Sequence, residues 1–358
     1  VILQRYIFRE LLVTFAAAFA ILVAVCSVGL IFQMFRSAEG ITLSLIRDAL
    51  PVAFSYMAPW ALIVAATLAS TMVYGRLAAE NEIDAMRTSG IHMGRIVAPA
   101  LLFAVCVFIL GFFTQHELAP WARFTRRGII GETILALLKH PPPGYTNIKV
   151  SGRHRLTYLD ANEKLITEPT LAIFNDKGEL TQQFHGSTGM IEVVDERMVT
   201  ITIRQGSITV WETVDGRLNE IVEGFIGERV LTVQMEDPTA RNKGPEDRSG
   251  LDLVSEWSRS EGIYRNVLYT ELHLRFAKAL GPICLILLGI PIGIRVKKGT
   301  KMSGLGMALP PLLVYFLLFF VGQSLAQRRL VAPEVGAYAP NALVLGVAVV
   351  LMWKVVRV

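Results

Sequence analysis

Between two long apolar runs, the stretch from Tyr74 to Arg95 reads YGRLAAENEIDAMRTSGIHMGR, too rich in acidic and basic residues to cross a bilayer. At 3.6 residues per turn, Ala79, Ile83, Met86 and Gly90 fall on one helical face, Glu80, Asp84 and Arg87 point away, and Glu82 borders the apolar stripe. The chemistry open to such a segment is recognition. Small and apolar residues permit close approach to a groove on a partner, and a carboxylate fixes orientation through charge-assisted hydrogen bonds. The expectation is a short coupling helix over about residues 75–92, with Glu82, Ala79, Ile83, Met86, Arg87 and Gly90 as its contact residues. A helix that merely joins two spans would use the same residues, so the surroundings must decide.

Other chemistry is sparse. The nearest approach to a G-x-x-x-x-G-K-[ST] phosphate loop, Gly293 to Thr300, places Gly299 directly before Thr300 with no lysine between them, so this chain is not expected to hydrolyse nucleotide by itself. The histidines at 92, 116, 140, 154, 185 and 273 are scattered, and His116-Glu117 fails the H-E-x-x-H pattern because Pro120 stands where the second histidine belongs. No nucleophile elbow frames a serine. No catalytic residue, metal ligand or cofactor is assigned. The middles of the apolar runs carry no evident ionisable residue, which argues against a proton- or sodium-driven transporter. Energy is then expected from another subunit, with Glu82 as the receiver.

The elements that position this segment are membrane helices. With 358 residues, 53% of them hydrophobic and 18% charged, and a mean hydropathy of +0.47, the chain is far more apolar than a soluble domain. Six stretches approach the roughly 20 apolar residues that a 30 Å hydrocarbon core demands. They are Leu11 to Phe35, Leu50 to Tyr74, Ile96 to Phe113, the run after Phe276 to Ile294, Leu305 to Leu325, and Ala337 to Trp353. Cys26, Cys106 and Cys284 lie inside these runs and read as small hydrophobes. The opening VILQRYIFRE lacks the pattern of a cleaved signal, so the first span is expected to be retained.

Arginine and lysine give the orientation. Arg5, Arg9, Arg76, Arg87, Arg95, Arg295, Lys297, Lys298, Lys301, Lys354 and Arg357 share one side, opposed by Arg36, Arg47, Arg328 and Arg329. The richer side is cytoplasmic, which places both termini and the segment around Glu82 there and the polar residues 116–270 outside. The net charge of +5 needs no nucleic-acid partner to explain it.

Residues 1–115 thus hold three spans, 116–270 an extracytoplasmic domain, and 271–358 three more spans. Within the domain, Ala119 to Lys139 is expected to be helical up to Pro141-Pro142-Pro143-Gly144. Strands follow: RLTYLD, TLAIFN, GMIEVV, SITVWET, and MVTITIR, whose Val199, Ile201 and Ile203 alternate with Met198, Thr200, Thr202 and Arg204. Turn signals at Asn175 to Gly178, Gln205-Gly206 and Asp215-Gly216 suit an all-β sandwich or jelly roll. The face of Val199, Ile201 and Ile203 is a candidate shelter for acyl chains or an ordinary sandwich core. Residues 238–250 form a polar linker, and Leu251 to Arg275 is an amphipathic return to the bilayer.

Across nearly its whole length this layout resembles the LptF/LptG (YjgP/YjgQ) permeases of lipopolysaccharide export. The residues that carry the resemblance are Arg5-Tyr6-Ile7 with Arg9-Glu10, Glu82 to Gly90, and Leu251 to Leu280. The opening and the Glu82 segment are more similar to the LptF partner. The resemblance implies six transmembrane helices with a periplasmic β-jelly-roll between the third and fourth, in the bacterial inner membrane. It further implies that the segment around Glu82 docks on an LptB-type ATPase dimer that carries the ATP and magnesium. A second LptF or LptG permease, LptC and a periplasmic bridge protein are the other implied partners. A lipid gate between the first and fifth spans is implied too, and it makes Arg36, Arg328 and Arg329 candidate contacts for lipid phosphates, against the alternative that they anchor helix ends. A mechanotransmission permease that moves no lipid, or an envelope scaffold, would share much of the layout. The former usually carries its large domain after the first span, and the latter needs no cytoplasmic contact helix.

Overall fold

The computed structural model describes residues 2–35, 43–151, 153–175, 178–195, 198–214, 217–234, 243–295 and 303–357. Helix α1 (Ile2–Phe35) precedes α2 (Leu43–Ala79), the short α3 (Glu82–Thr88) and α4 (Met93–Phe113), which passes through a π-turn (Thr114–Leu118) into α5 (Ala119–Lys139). Eight strands come next, then a 3-10 turn (Pro245–Asp247), α6 (Gly250–Arg259), α7 (Gly262–Arg295), α8 (Ser303–Gln327) and α9 (Pro333–Arg357). Among the described residues, six helical segments are long and apolar enough to cross a membrane, in the three-plus-three order read from the sequence.

The helices outrun the apolar stretches. Helix α1 begins at Ile2 rather than Leu11, because Ile7 and Leu11 continue one buried face while Arg5, Arg9 and Glu10 occupy the other. The helix does not stop at Phe113, where the apolar run ends, but continues from Met93 to Lys139. What stands there is the π-turn, where the Ala119 N–H reaches back five residues to the Thr114 carbonyl. Pro120 follows at once; it cannot donate, and its ring would press on the carbonyl four residues earlier, so a wider turn relieves the helix.

Contacts divide the chain into two compact units, one built from residues 1–28, 52–123 and 243–358, the other from 29–51 and 124–242. In the first, α2 and α7 are the buried centre. Their contact depends on small residues: a Cβ on Gly293 would lie 2.6 Å from the Thr71 carbonyl oxygen and 2.9 Å from the Gly75 nitrogen. Lys278 of α7 lies within the fourth apolar run though not at its middle, and it is buried with its ammonium 5.5 Å from the Trp60 ring and 5.7 Å from that of Phe319. Seventeen residues separate it from Arg295, about 26 Å of helix, so it stands near one end of the span, where an aromatic cage offsets part of the cost of burying the charge.

The second unit holds an antiparallel sheet of β1 (Thr146–Lys149), β2 (His154–Tyr158), β3 (Asp160–Asn162), β4 (Leu165–Thr167), β5 (Thr170–Phe174), β6 (Leu180–Asp195), β7 (Met198–Val214) and β8 (Arg217–Gln234). One edge of β6 pairs with β5 and then β4, its other edge pairs with β7, and β8 pairs with β7. Gln205-Gly206 is not a turn between strands but a bend inside β7. Gln205 is left-handed at φ 50, and a Cβ on Gly206 would meet the His185 carbonyl oxygen of β6 at 1.8 Å, so glycine lets the two backbones stay paired through the bend. Asp215-Gly216 lies outside the described residues. The core joins Leu138 of α5 to Leu156, Phe184, Ile191, Val199, Ile201 and Ile203.

At the β1–β2 end, Ser151 Oγ lies 2.8 Å from His154 Nδ1. Burial, then the neighbouring Arg153 guanidinium, lowers the imidazole below its ordinary 6.5. The unfolded chain then binds a proton that the folded one refuses, so stability is fully present above pH 6.5 and is lost as pH falls toward the folded value. In the full-length protein, protection of the Leu156 amide should fall on acidification more steeply than in His154→Gln compared at each pH. Parallel curves for the two proteins would refute this linkage.

Candidate functional site

The segment around Glu82 is shaped by three helix ends. On α1, Tyr6 and Glu10 share a face one turn apart; Arg76 and Glu80 do the same at the end of α2; Glu82 is the first residue of α3. Asn81 breaks the path between α2 and α3 with a left-handed conformation at φ 59, one that asparagine tolerates better than most side chains. The helix of this segment is therefore Glu82–Thr88, shorter than the 75–92 read from periodicity, and Ala79 belongs to α2.

Arg76 gathers the cluster. Its Nη2 donates to Glu10 Oε2 at 2.9 Å and to Tyr6 Oη at 3.3 Å, and its Nη1 donates to Glu80 Oε2 at 3.2 Å and lies 3.9 Å from Glu82 Oε1. Tyr6 Oη in turn donates to Glu82 Oε1 at 3.3 Å. Three carboxylates around one guanidinium leave an acidic excess on a part-exposed surface. Burial, followed by the hydrogen bond with Glu80, holds the Glu82 carboxyl above the usual carboxylate range, against the pull of Arg76. The sequence made the Arg76–Glu80 pair visible as an i,i+4 spacing. Tyr6 and Glu10 were missed as members, since nothing local brings α1 to this turn.

Within the apolar stripe Ile83 and Met86 face inward, which corrects their reading as exposed contact residues, while Gly90 is exposed. Ile83 and Met86 are buried in the core formed with Ile7, Leu11, Tyr74, Leu77 and Ile96. They anchor α3, and Tyr74 Oη, donating to the Ile96 carbonyl at 2.9 Å, pins α2 to α4 beneath it. What α3 and the turn after it offer outward is Ala85, Arg87, Thr88, Ser89 and Gly90, with Glu82 at the rim.

Among the described residues an acidic turn, six apolar helices and an antiparallel sheet between the third and fourth of them now stand together. The sequence pattern of the lipopolysaccharide export system permease LptF/LptG matches residues 5–354, nearly the whole chain. The chain belongs to the LptF/LptG family. No curated protein matches it. As an LptF/LptG permease it is an inner-membrane protein of lipopolysaccharide export, and it is not by itself an enzyme.

The other sequence-derived residues of this LptF/LptG protein lie apart from the acidic turn. Val199, Ile201 and Ile203 of β7 are fully buried in the sheet core. Thr202, on the alternate face of the same strand, is only 8% exposed as well. Arg328 and Arg329 follow α8 and are exposed, Arg329 in a left-handed conformation at φ 60. Arg329 also lines a cavity of about 710 Å³ together with Val267, Leu274, Leu330 and Pro333. Arg36 lies outside the described residues.

Proposed function

We propose that this LptF/LptG protein is the permease half of an ABC exporter that lifts lipopolysaccharide from the outer leaflet of the inner membrane and passes it into the β-sheet unit. The observation that carries this reading is the acidic turn of Glu10, Arg76, Glu80 and Glu82, seated on an α3 anchored by Ile83 and Met86. It is a stiff, negatively charged contact, suited to a basic groove on an ATPase that brings its own ATP and magnesium. The first and fifth spans, α1 and α8, leave Val25, Phe32, Leu313 and Leu317 uncovered, apolar surface that suits a paired LptF or LptG permease or the lipid itself. Exposed Ile221, Val222 and Phe225 on β8, whose only described partner is β7, suit a further β-domain such as that of LptC or the periplasmic bridge. Arg328 and Arg329, exposed just after α8, suit lipid phosphates, and the expectation for Arg36 rests on the sequence alone.

Purification in mild detergent should bring down an ABC ATPase, a second permease and lipopolysaccharide. A photo-crosslinker at Ile201 should capture lipopolysaccharide only when ATP is supplied, and one at exposed Glu228 should not. Equal capture at both positions would leave the sheet interior as plain core. Orientation is tested separately. With Cys26, Cys106 and Cys284 replaced, an impermeant thiol reagent should label Glu223→Cys in cells whose outer membrane alone is opened, and Thr88→Cys only after the inner membrane is opened. The reverse pattern would invert the topology.

A further inference from the structure

The chain leaves the helical unit after Arg123 on its way to the sheet and returns to it at Lys243, two of the crossings between the units. Both are tied to one point on α7. Arg275 is fully buried, and its guanidinium is satisfied: Nε donates to Glu271 Oε1 at 2.9 Å, Nη1 to the Arg248 carbonyl at 2.8 Å, and Nη2 to the carbonyls of Pro245 and Glu246 at 3.0 and 3.1 Å. It thereby grips the returning chain at the 3-10 turn. Arg123, the last residue before the departure, lies 3.8 Å from the same Glu271 Oε1 and 3.9 Å from Glu246 Oε2, and its Nη1 donates to the Glu246 carbonyl at 3.1 Å. The start of α6 closes the joint, since a Cβ on Gly250 would meet the His116 ring of the π-turn at 2.6 Å.

Burying an arginine–carboxylate pair is a poor route to stability, because desolvation offsets most of the attraction, and the site therefore asks for another use. Its depth suggests one. Arg275 stands twenty residues from Arg295 on α7, about 30 Å, one hydrocarbon thickness from the far end of that span. The cluster thus sits where the central buried helix emerges from the membrane, at the root of both connections to the sheet.

We propose that Arg275, Glu271 and Arg123 are positioning residues for export, forming a rigid joint that makes the inserted sheet unit follow α7 as the ATPase turns over. A point charge would not serve. Four acceptors spread over a turn and a carboxylate need the planar fork of guanidinium, so lysine at 275 should fail as a substitute. This inference rests on the export reading, and its test separates the two.

The test uses the full chain in its assembled complex, spin-labelled at exposed Glu228 of the sheet and at Thr88 of α3. In wild type the inter-label distance should shift between nucleotide-free and nucleotide-trapped complexes. In Glu271→Gln/Arg275→Met, which removes both buried charges and so leaves neither unpaired, the distance should broaden and cease to follow nucleotide. ATP-dependent lipopolysaccharide capture at Ile201 should then fall about tenfold or more, with basal ATPase and assembly retained. Arg275→Lys should behave like the double variant, and Arg123→Gln, which spares the carbonyl contacts of Arg275, should show an intermediate loss. A distance that follows nucleotide in the double variant, or one that does not move in wild type, overturns the joint. A wild-type distance that moves without any lipopolysaccharide capture leaves the joint standing and defeats the export reading instead.

Discussion

Gly293→Val is expected to force α2 and α7 apart and to lower the melting temperature and folded yield of the permease in mild detergent. The added side chain would start from a Cβ 2.6 Å from the Thr71 carbonyl oxygen and 2.9 Å from the Gly75 nitrogen, and both are backbone atoms of α2 that cannot rotate away. Within a bilayer, helices are not driven together by the hydrophobic effect, because lipid tails are as apolar as the side chains; close packing supplies much of the attraction. Overpacking of this kind costs about 1–3 kcal/mol, a large share of a marginal stability. Gly306→Val is the control, since a Cβ there meets nothing within 4 Å. Equal melting of the two variants would show that the α2–α7 approach is not close.

Glu82→Lys is expected to abolish ATP-driven transfer while leaving the permease folded. Within the chain, Glu82 takes part in a part-exposed cluster, where each ion pair contributes about 0–1 kcal/mol, so local loss is small. Across a desolvated interface with a basic groove, the same change removes an attraction and adds a like-charge clash, together about 2–5 kcal/mol. The magnitudes therefore separate the two roles. Melting should stay near wild type while recovery of the ATPase in a pull-down collapses, and Glu82→Gln, which can still accept from Tyr6, should fall between them. Because burial raises the Glu82 carboxyl, acidification from neutral should discharge it earlier than an ordinary glutamate and weaken ATPase docking. Wild-type assembly and transport in Glu82→Lys would remove the coupling role.

Local pattern made much of this protein legible. Six spans, the helix ending before Pro141-Pro142-Pro143, the inward alternation of Val199, Ile201 and Ile203, and an acidic turn between the second and third spans all follow from period and composition, since each depends on residues within about two turns or one strand. Tertiary structure decided the rest. Whether the Ile83 and Met86 stripe faced a partner or the protein's own core could not be read from α3, because an amphipathic helix has the same period in either case; the packing of Ile7, Leu11 and Tyr74 turned it inward. The acidic cluster required α1 to meet the end of α2, a contact between Tyr6 and Arg76 that seventy residues of chain conceal. Gln205-Gly206 carried the composition of a turn, and only the neighbouring backbone of β6 held it in a strand. Arg275 looked like one more charge on the amphipathic return to the bilayer, and what buried it was a turn of main chain, whose carbonyls leave no mark in the sequence. Side-chain period is written locally, whereas the partner of each face is fixed by long-range packing and by backbone groups that every residue shares.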